Sequence, residues 1–340
     1  MKLRSTLRTG VLAVASLTMA TLAVSPADAA DAAPGWQVSY LATPDGYPDA
    51  VGVVHGTDSH GGYAGTLKLG DSDQVVTWKD GQPTVHPLPT GWSRPKVGGE
   101  NWAGTVVGEV TIGKGQQAFM LTEAGFELLP SPAGYPYLGA TAINNRGDVV
   151  AYGFDTRGTG QSVLWRADDR AHPEVLTSAG IFSGAADIDD DGTVLLNRYP
   201  EAMLWKDGVV RKLTSPEPGG LTRGEAIRNG VVVGMHLTYQ TSARQGLLWH
   251  DTDAPTPLPG AFTANKINRF GLVAGRATSQ TGPLGTWLGT HRVGDLPLPE
   301  GMTNVGDPGA LGDDGTVVGT VGSTRLTLDV GRPVIWRPHL

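Results

Sequence analysis

Asp187, Asp189 and Asp191 alternate along DIDDDGTVLL (187–196), and Gly192 follows. Carboxylates at every second residue ahead of a glycine are what the first half of a calcium loop presents to a hard cation. A full loop of that kind also needs a bidentate acid at its twelfth position, and counting from Asp187 that position is Arg198. Two readings follow: a plain hairpin turn, or a weak surface calcium ion. Which one holds depends on whether the same stretch recurs elsewhere with other residues in the aspartate slots.

Other chemistry is sparse. DSDQVVTW (71–78) resembles the Asp-box of sialidase-type propellers in Asp73, Thr77 and Trp78. It carries Asp71 in place of serine and Val75 in place of glycine, and no other stretch repeats it. No H-E-x-x-H, G-x-S-x-G or P-loop pattern is present. The eight histidines are scattered, and only His55 and His60 are spaced to meet across a hairpin. With no cysteine there are no disulfides, no thiolate catalysis, no Cys-ligated zinc and no iron–sulfur cluster. Motifs alone therefore assign no catalytic residue, no metal and no cofactor.

Residues 1–30 read as a secretory signal. Lys2, Arg4 and Arg8 precede the apolar run VLAVASLTMATLAV (11–24), and small residues at Ala27 and Ala29 mark a cut after Ala29 or Ala30. The apolar run is too short for a membrane anchor. The expected product is a soluble, secreted, extracellular monomer spanning 31–340 as one domain. The whole chain carries a net charge of −7, and segment 1–30 contributes +2 of it, leaving −9. An acidic domain without a basic run excludes nucleic acid as a partner and disfavours anionic membranes.

The elements that must position any site come from a repeat. AINNRGDVVAYG (142–153), DIDDDGTVLLN (187–197), AIRNGVVVGM (226–235), KINRFGLVAG (266–275), ALGDDGTVVG (310–319) and GENWAGTVVG (99–108) each hold a polar turn ending in glycine, then a β-branched run. TDSHGGYAG (57–65) is a strained seventh copy. Glycine supplies the positive φ that such a turn needs. A second motif trails each copy and carries Trp78, Trp165, Trp205, Trp249, Trp287 or Trp336, with Leu121 once in its place. From Trp78 to Trp336 is 258 residues over six steps, or 43 per repeat. A Leu-Pro segment comes third, as in VHPLPTG (85–91) and DLPLPEG (295–301). Four strands in about 43 residues predict an all-β, seven-bladed β-propeller with four-stranded blades.

Blades are expected at 47–91, 92–134, 135–180, 181–220, 221–260, 261–301 and 302–340. The last lacks its Leu-Pro strand, and GWQVSYLATPDG (35–46) supplies it, so the N-terminal strand closes the last blade. Six or eight blades, or an open solenoid, are the alternatives. The aspartates of 187–191 occupy slots held elsewhere by Asn144, Asn145, Arg269 and Phe270, which favours the hairpin reading.

The pattern resembles the HAF-type extracellular repeat family, A-x-x-I-N-x-x-G-x-V-V-G followed by A-x-L-W and a Leu-Pro segment. The likeness runs through the mature chain and is tightest in 140–320. The fuller His-Ala-Phe form is reduced here to AFML (118–121) or AMLW (202–205), and no Asp-Leu-Gly-Thr-Leu-Gly-Gly segment is present. The resemblance implies an extracellular propeller-like fold and no particular reaction.

Ligand-binding positions are expected on the connector rim, where Tyr47, Trp92, Arg94, Tyr135 and Tyr137 cluster, and across the channel at Arg223, Glu225, Lys266 and Asp187. Most acids, such as Asp80, Asp189–Asp191, Asp207, Asp313 and Asp314, fall in turns. That distribution points to a non-catalytic binding or scaffolding protein for an extracellular glycan, wall polymer or protein. A polysaccharide hydrolase or lyase on the same scaffold is the alternative, and it demands two or three buried channel acids with raised pKa.

Overall fold

The computed structural model describes residues 35–323 and 331–339; the signal segment at 1–30 and part of the loop 322–333 lie outside the described residues. The described chain is all-β, with one 3-10 turn at Thr177–Ala179. Among the described residues no helix is long and apolar enough to cross a membrane.

Each repeat unit forms an antiparallel meander. In the fifth, Gly220–Arg228, Val231–Thr238, Arg244–His250 and Thr256–Pro257 pair in that order. The first, fourth and sixth units are four-stranded sheets of the same kind. Two places depart from a uniform four strands. The second and third units merge into one eight-stranded sheet through a single parallel bridge between Tyr137 and Gln116. Gln117 Nε2 donates to Pro136 O at 3.3 Å there, drawing the start of one strand onto the other. In the seventh unit the first strand is broken into Asn304–Val305 and Ala310–Leu311, with Pro308 between them unable to donate to a ladder. That sheet also takes in Gly35–Tyr40, which runs antiparallel to Arg332–His339 from Gly35 opposite His339 to Tyr40 opposite Val334.

The recurrent tryptophans have two jobs. All six are at most 1 % exposed, and each fills the space between one sheet and the next. Burying a side chain of that size is worth about 3 kcal/mol or more. Each indole N–H also reaches the preceding unit's last segment. Trp165 donates to Pro130 O at 2.8 Å, Trp249 to Thr214 O at 2.8 Å, Trp287 to Pro259 O at 2.9 Å and Trp336 to Pro297 O at 2.7 Å. The Leu-Pro motif therefore supplies a buried apolar residue and a carbonyl acceptor. The third unit ends in the 3-10 turn instead, and there Trp205 bonds Ser178 Oγ at 2.9 Å. Trp78 of the first unit bonds Ala42 O at 2.7 Å, in the N-terminal segment.

A β-bulge recurs near the end of the first strand of units one to six, at Val54/Gly56, Val97/Gly99, Ala140/Ala142, Ala185/Asp187, Gly224/Ala226 and Ala264/Lys266. A bulge breaks the strict alternation of a strand and re-aims the residues beside it. Of the residues in the site described next, His55, Asp187, Glu225 and Lys266 lie at these bulges, and Glu100 and Arg228 lie one and two residues beyond them.

Candidate functional site

The first strands converge on one cavity of about 90 Å³. Its wall takes His55 from the first unit, Glu100 from the second, Asp187 from the fourth, Glu225 and Arg228 from the fifth and Lys266 from the sixth. Space of that size holds a handful of water molecules.

Glu100 is the unusual member. In the repeat it stands where five of the other units carry Ile143, Ile188, Ile227, Ile267 and Leu311, all of them buried, and where the first carries Thr57. Its carboxyl thus occupies a slot built for an aliphatic side chain. Its Oε2 is buried without a hydrogen-bond partner. Burial, reinforced by the nearby Asp58 charge, pushes its pKa up to about 8, so the folded protein keeps it protonated at neutral pH. Gly56 of the neighbouring strand makes room, since a Cβ there would fall 2.7 Å from that of Glu100.

Lys266 is shifted in the opposite sense. Burial pushes its pKa down, against the pull of Asp187 and Glu225. Among the described residues no carboxylate lies within ion-pairing distance of its Nζ. Asp187 is held by Arg228 Nη1 at 3.2 Å and by the backbone N–H groups of Ile188 and Ile227, each at 2.9 Å. The Asp187 charge in turn raises the Arg228 pKa, so that guanidinium stays charged. Glu225 Oε1 accepts from Arg223 Nε at 2.7 Å. The wall therefore pairs two fixed ion pairs with one protonated acid and one amine of lowered basicity.

The tight turns close one end of this cavity by bonding to one another. Asn101 Nδ2 donates to Asn144 O, and Asn144 Nδ2 to Asp189 O, at 3.1 and 3.0 Å. Asp189 accepts from the N–H groups of Asn229 and Gly230 at 3.0 and 2.7 Å. Asn229 Nδ2 bonds Arg269 O at 3.1 Å, Arg269 N bonds Asp313 Oδ1 at 2.8 Å, and Asp313 N bonds Ser59 Oγ at 3.0 Å. The I-N motif is thus a turn whose amide caps its own loop and reaches the next one. The aspartates of 187–191 belong to the same scheme. Asp190 accepts from Asn145 N and Nδ2, and Asp191 pairs with Lys206.

The structure separates the residues expected from sequence. Asp187, Glu225 and Lys266 meet in the cavity, and Arg223 bonds Glu225. The rim aromatics lie elsewhere. Trp92 begins the strand that ends at Glu100, eight residues and about 26 Å away. With Arg94, which is exposed at φ 49°, it lines a separate groove of about 480 Å³ beside Asp71–Gln74. Tyr47 is an exposed turn residue near Gly70. Tyr135 is half-buried and bonds Gln161 through its hydroxyl, and Tyr137 is exposed at the start of its strand. Glu100 and Arg228 were not among the sequence candidates, and His55 was singled out only as a hairpin neighbour of His60. The signal for the first two was a departure from the repeat: an acid at a mostly aliphatic position, and Arg228 where other units carry asparagine, aspartate or, in the seventh, glycine.

No family model matches the chain, and no curated protein matches it. Solved structures do. A prolyl endopeptidase is 13 % identical, with a TM-score of 0.55 over 80 % of this chain and 46 % of its own. An acylaminoacyl peptidase is 12 % identical, with a TM-score of 0.56 over 86 % of this chain and 52 % of its own. A gluconolactonase from Xanthomonas campestris is 12 % identical at a TM-score of 0.46, covering 92 % and 94 %. The chain spans about half the length of the two peptidases it matches. Identities this low carry the architecture alone, and that architecture is β-propeller-like. The expectation of a non-catalytic binding or scaffolding protein is corrected here. The two peptidases that share the architecture are enzymes, and the cavity holds one buried acid of raised pKa, Glu100.

Proposed function

We propose that the protein is a secreted hydrolase acting on extracellular polysaccharide, built on a seven-bladed propeller of HAF-type repeats whose last blade is closed by residues 35–40. The pairing of that strand with Arg332–His339, the Trp78 bond to Ala42 O and the Asp313 bond to Ser59 support ring closure. The observation that carries the catalytic reading is the Glu100 carboxyl, protonated at neutral pH with a free Oε2 facing a cavity it shares with Lys266.

A general acid works best with a pKa near the working pH. Glu100 gives its proton to the leaving oxygen as the scissile bond breaks. Water supplies the oxygen of the new bond and gives up its proton to solvent, beside the Lys266 amine whose basicity burial lowers. The ion pairs Asp187–Arg228 and Glu225–Arg223 hold the wall rigid and charged on either side. The cavity admits water and the reacting atoms rather than a sugar ring, so the substrate lies across its mouth.

The test is turnover of chromogenic chain-end glycosides and a polysaccharide panel by the mature chain, with aminoacyl anilides alongside. Glu100→Gln is expected to lower kcat at least ~100-fold. Hydrolysis of the anilides and not the glycosides would overturn the substrate class. Turnover indifferent to Glu100→Gln, or none on the whole panel, would overturn the reading.

A further inference from the structure

A second cavity, of about 410 Å³, opens between the fifth, sixth and seventh units, at the start of the sixth unit's first strand rather than at its turn end. One wall is preformed. Arg276, only 7 % exposed, donates through Nε to Asp307 at 2.8 Å, through Nη1 to Gly282 O at 2.9 Å and through Nη2 to Val305 O at 3.1 Å. That single guanidinium ties the loop 278–283 to the seventh unit, and Asp307 cancels its charge. The other wall is Arg244, whose guanidinium carbon lies over the Phe262 ring, 5.2 Å from its centroid. Among the described residues its guanidinium has no hydrogen-bond or ion-pair partner.

We propose that this cavity binds a sugar ring bearing a carboxylate. A planar guanidinium already held against an aromatic face has lost much of its rotational freedom, and its fork of N–H donors matches a carboxylate bidentately. Arg244 is the uncompensated charge of the pocket and sits on an acidic protein, so it selects an anion. The rest of the lining selects hydroxyls. Thr281, Thr303, Gln280 and Asn304 both donate and accept, as an array of sugar hydroxyls requires. Leu296 and Leu298 supply the apolar floor for a ring face. The site stands independently of the hydrolytic reading, since none of its residues lines the Glu100 cavity.

The test is ligand-observed NMR and calorimetry on the mature chain with D-glucuronate, D-glucose and a short acidic peptide as probes. Glucuronate is expected to bind, and glucose at least ~10-fold more weakly. Arg244→Ala is expected to abolish that preference with the circular dichroism spectrum unchanged, and Arg244→Lys to retain only part of it. Glu100→Gln is expected to leave it intact, which separates this site from the other. Equal binding of glucose, no binding of glucuronate, an unaffected Arg244→Ala variant, or tighter binding of the peptide would each overturn the proposal.

Discussion

Trp102 and Asp313 are 211 residues apart in the chain, yet the indole Nε1 of the first donates to Oδ2 of the second at 3.2 Å. The Arg269 guanidinium lies over the same indole at 4.9 Å, and His60 meets its edge at 6.1 Å. Trp102 thus joins the turn of the second unit to those of the first, sixth and seventh, beside the Glu100 cavity that it helps to line.

Trp102→Ala removes a charge-assisted hydrogen bond and a cation–π contact on a side chain that is 39 % exposed. The expected loss of stability is about 1–2 kcal/mol. Urea unfolding followed by circular dichroism reads it, and an unchanged midpoint would show that the belt of turns does not depend on this side chain.

Glu100 links stability to pH. Its folded pKa, about 8, lies above the 4.5 of a free glutamate, so between those values the folded state keeps a proton that the unfolded state has lost. Stability therefore falls as pH rises through that window and levels off above it. Lys266, lowered on folding, acts in the opposite sense at the alkaline end, so the wild type alone does not isolate the effect. The difference between Glu100→Gln and wild type does. The variant is expected to gain little at pH 5 and a few kcal/mol, on the order of 2–4, at pH 8. A pH-independent difference in urea midpoint would place the carboxyl in water.

Ser178 is the acceptor that replaces a Leu-Pro carbonyl under Trp205. Ser178→Ala leaves that buried indole N–H without a partner, at an expected cost of about 1–2 kcal/mol. Ser178→Thr keeps the hydroxyl and should cost less. Thermal unfolding of the two variants distinguishes a bonded indole from one that is merely packed.

The 43-residue period, the tryptophan of six of the units, the Leu-Pro segments and the strand at 35–40 were all legible in the sequence. Each is a local pattern repeated, and repetition makes the common residues visible. Asp187, Glu225 and Lys266 were legible as channel candidates, but the same repetition hid Glu100 and Arg228, where a unit departs from its neighbours and in one sequence a departure looks like drift. Only the tertiary structure brings all five residues to one cavity, with bulges beside Asp187, Glu225 and Lys266. A carboxyl's acidity is set by what surrounds it, and the surroundings of Glu100 come from strands far away in the chain. Patterning within a unit sets how that unit folds; desolvation and charge at the centre depend on which units meet there.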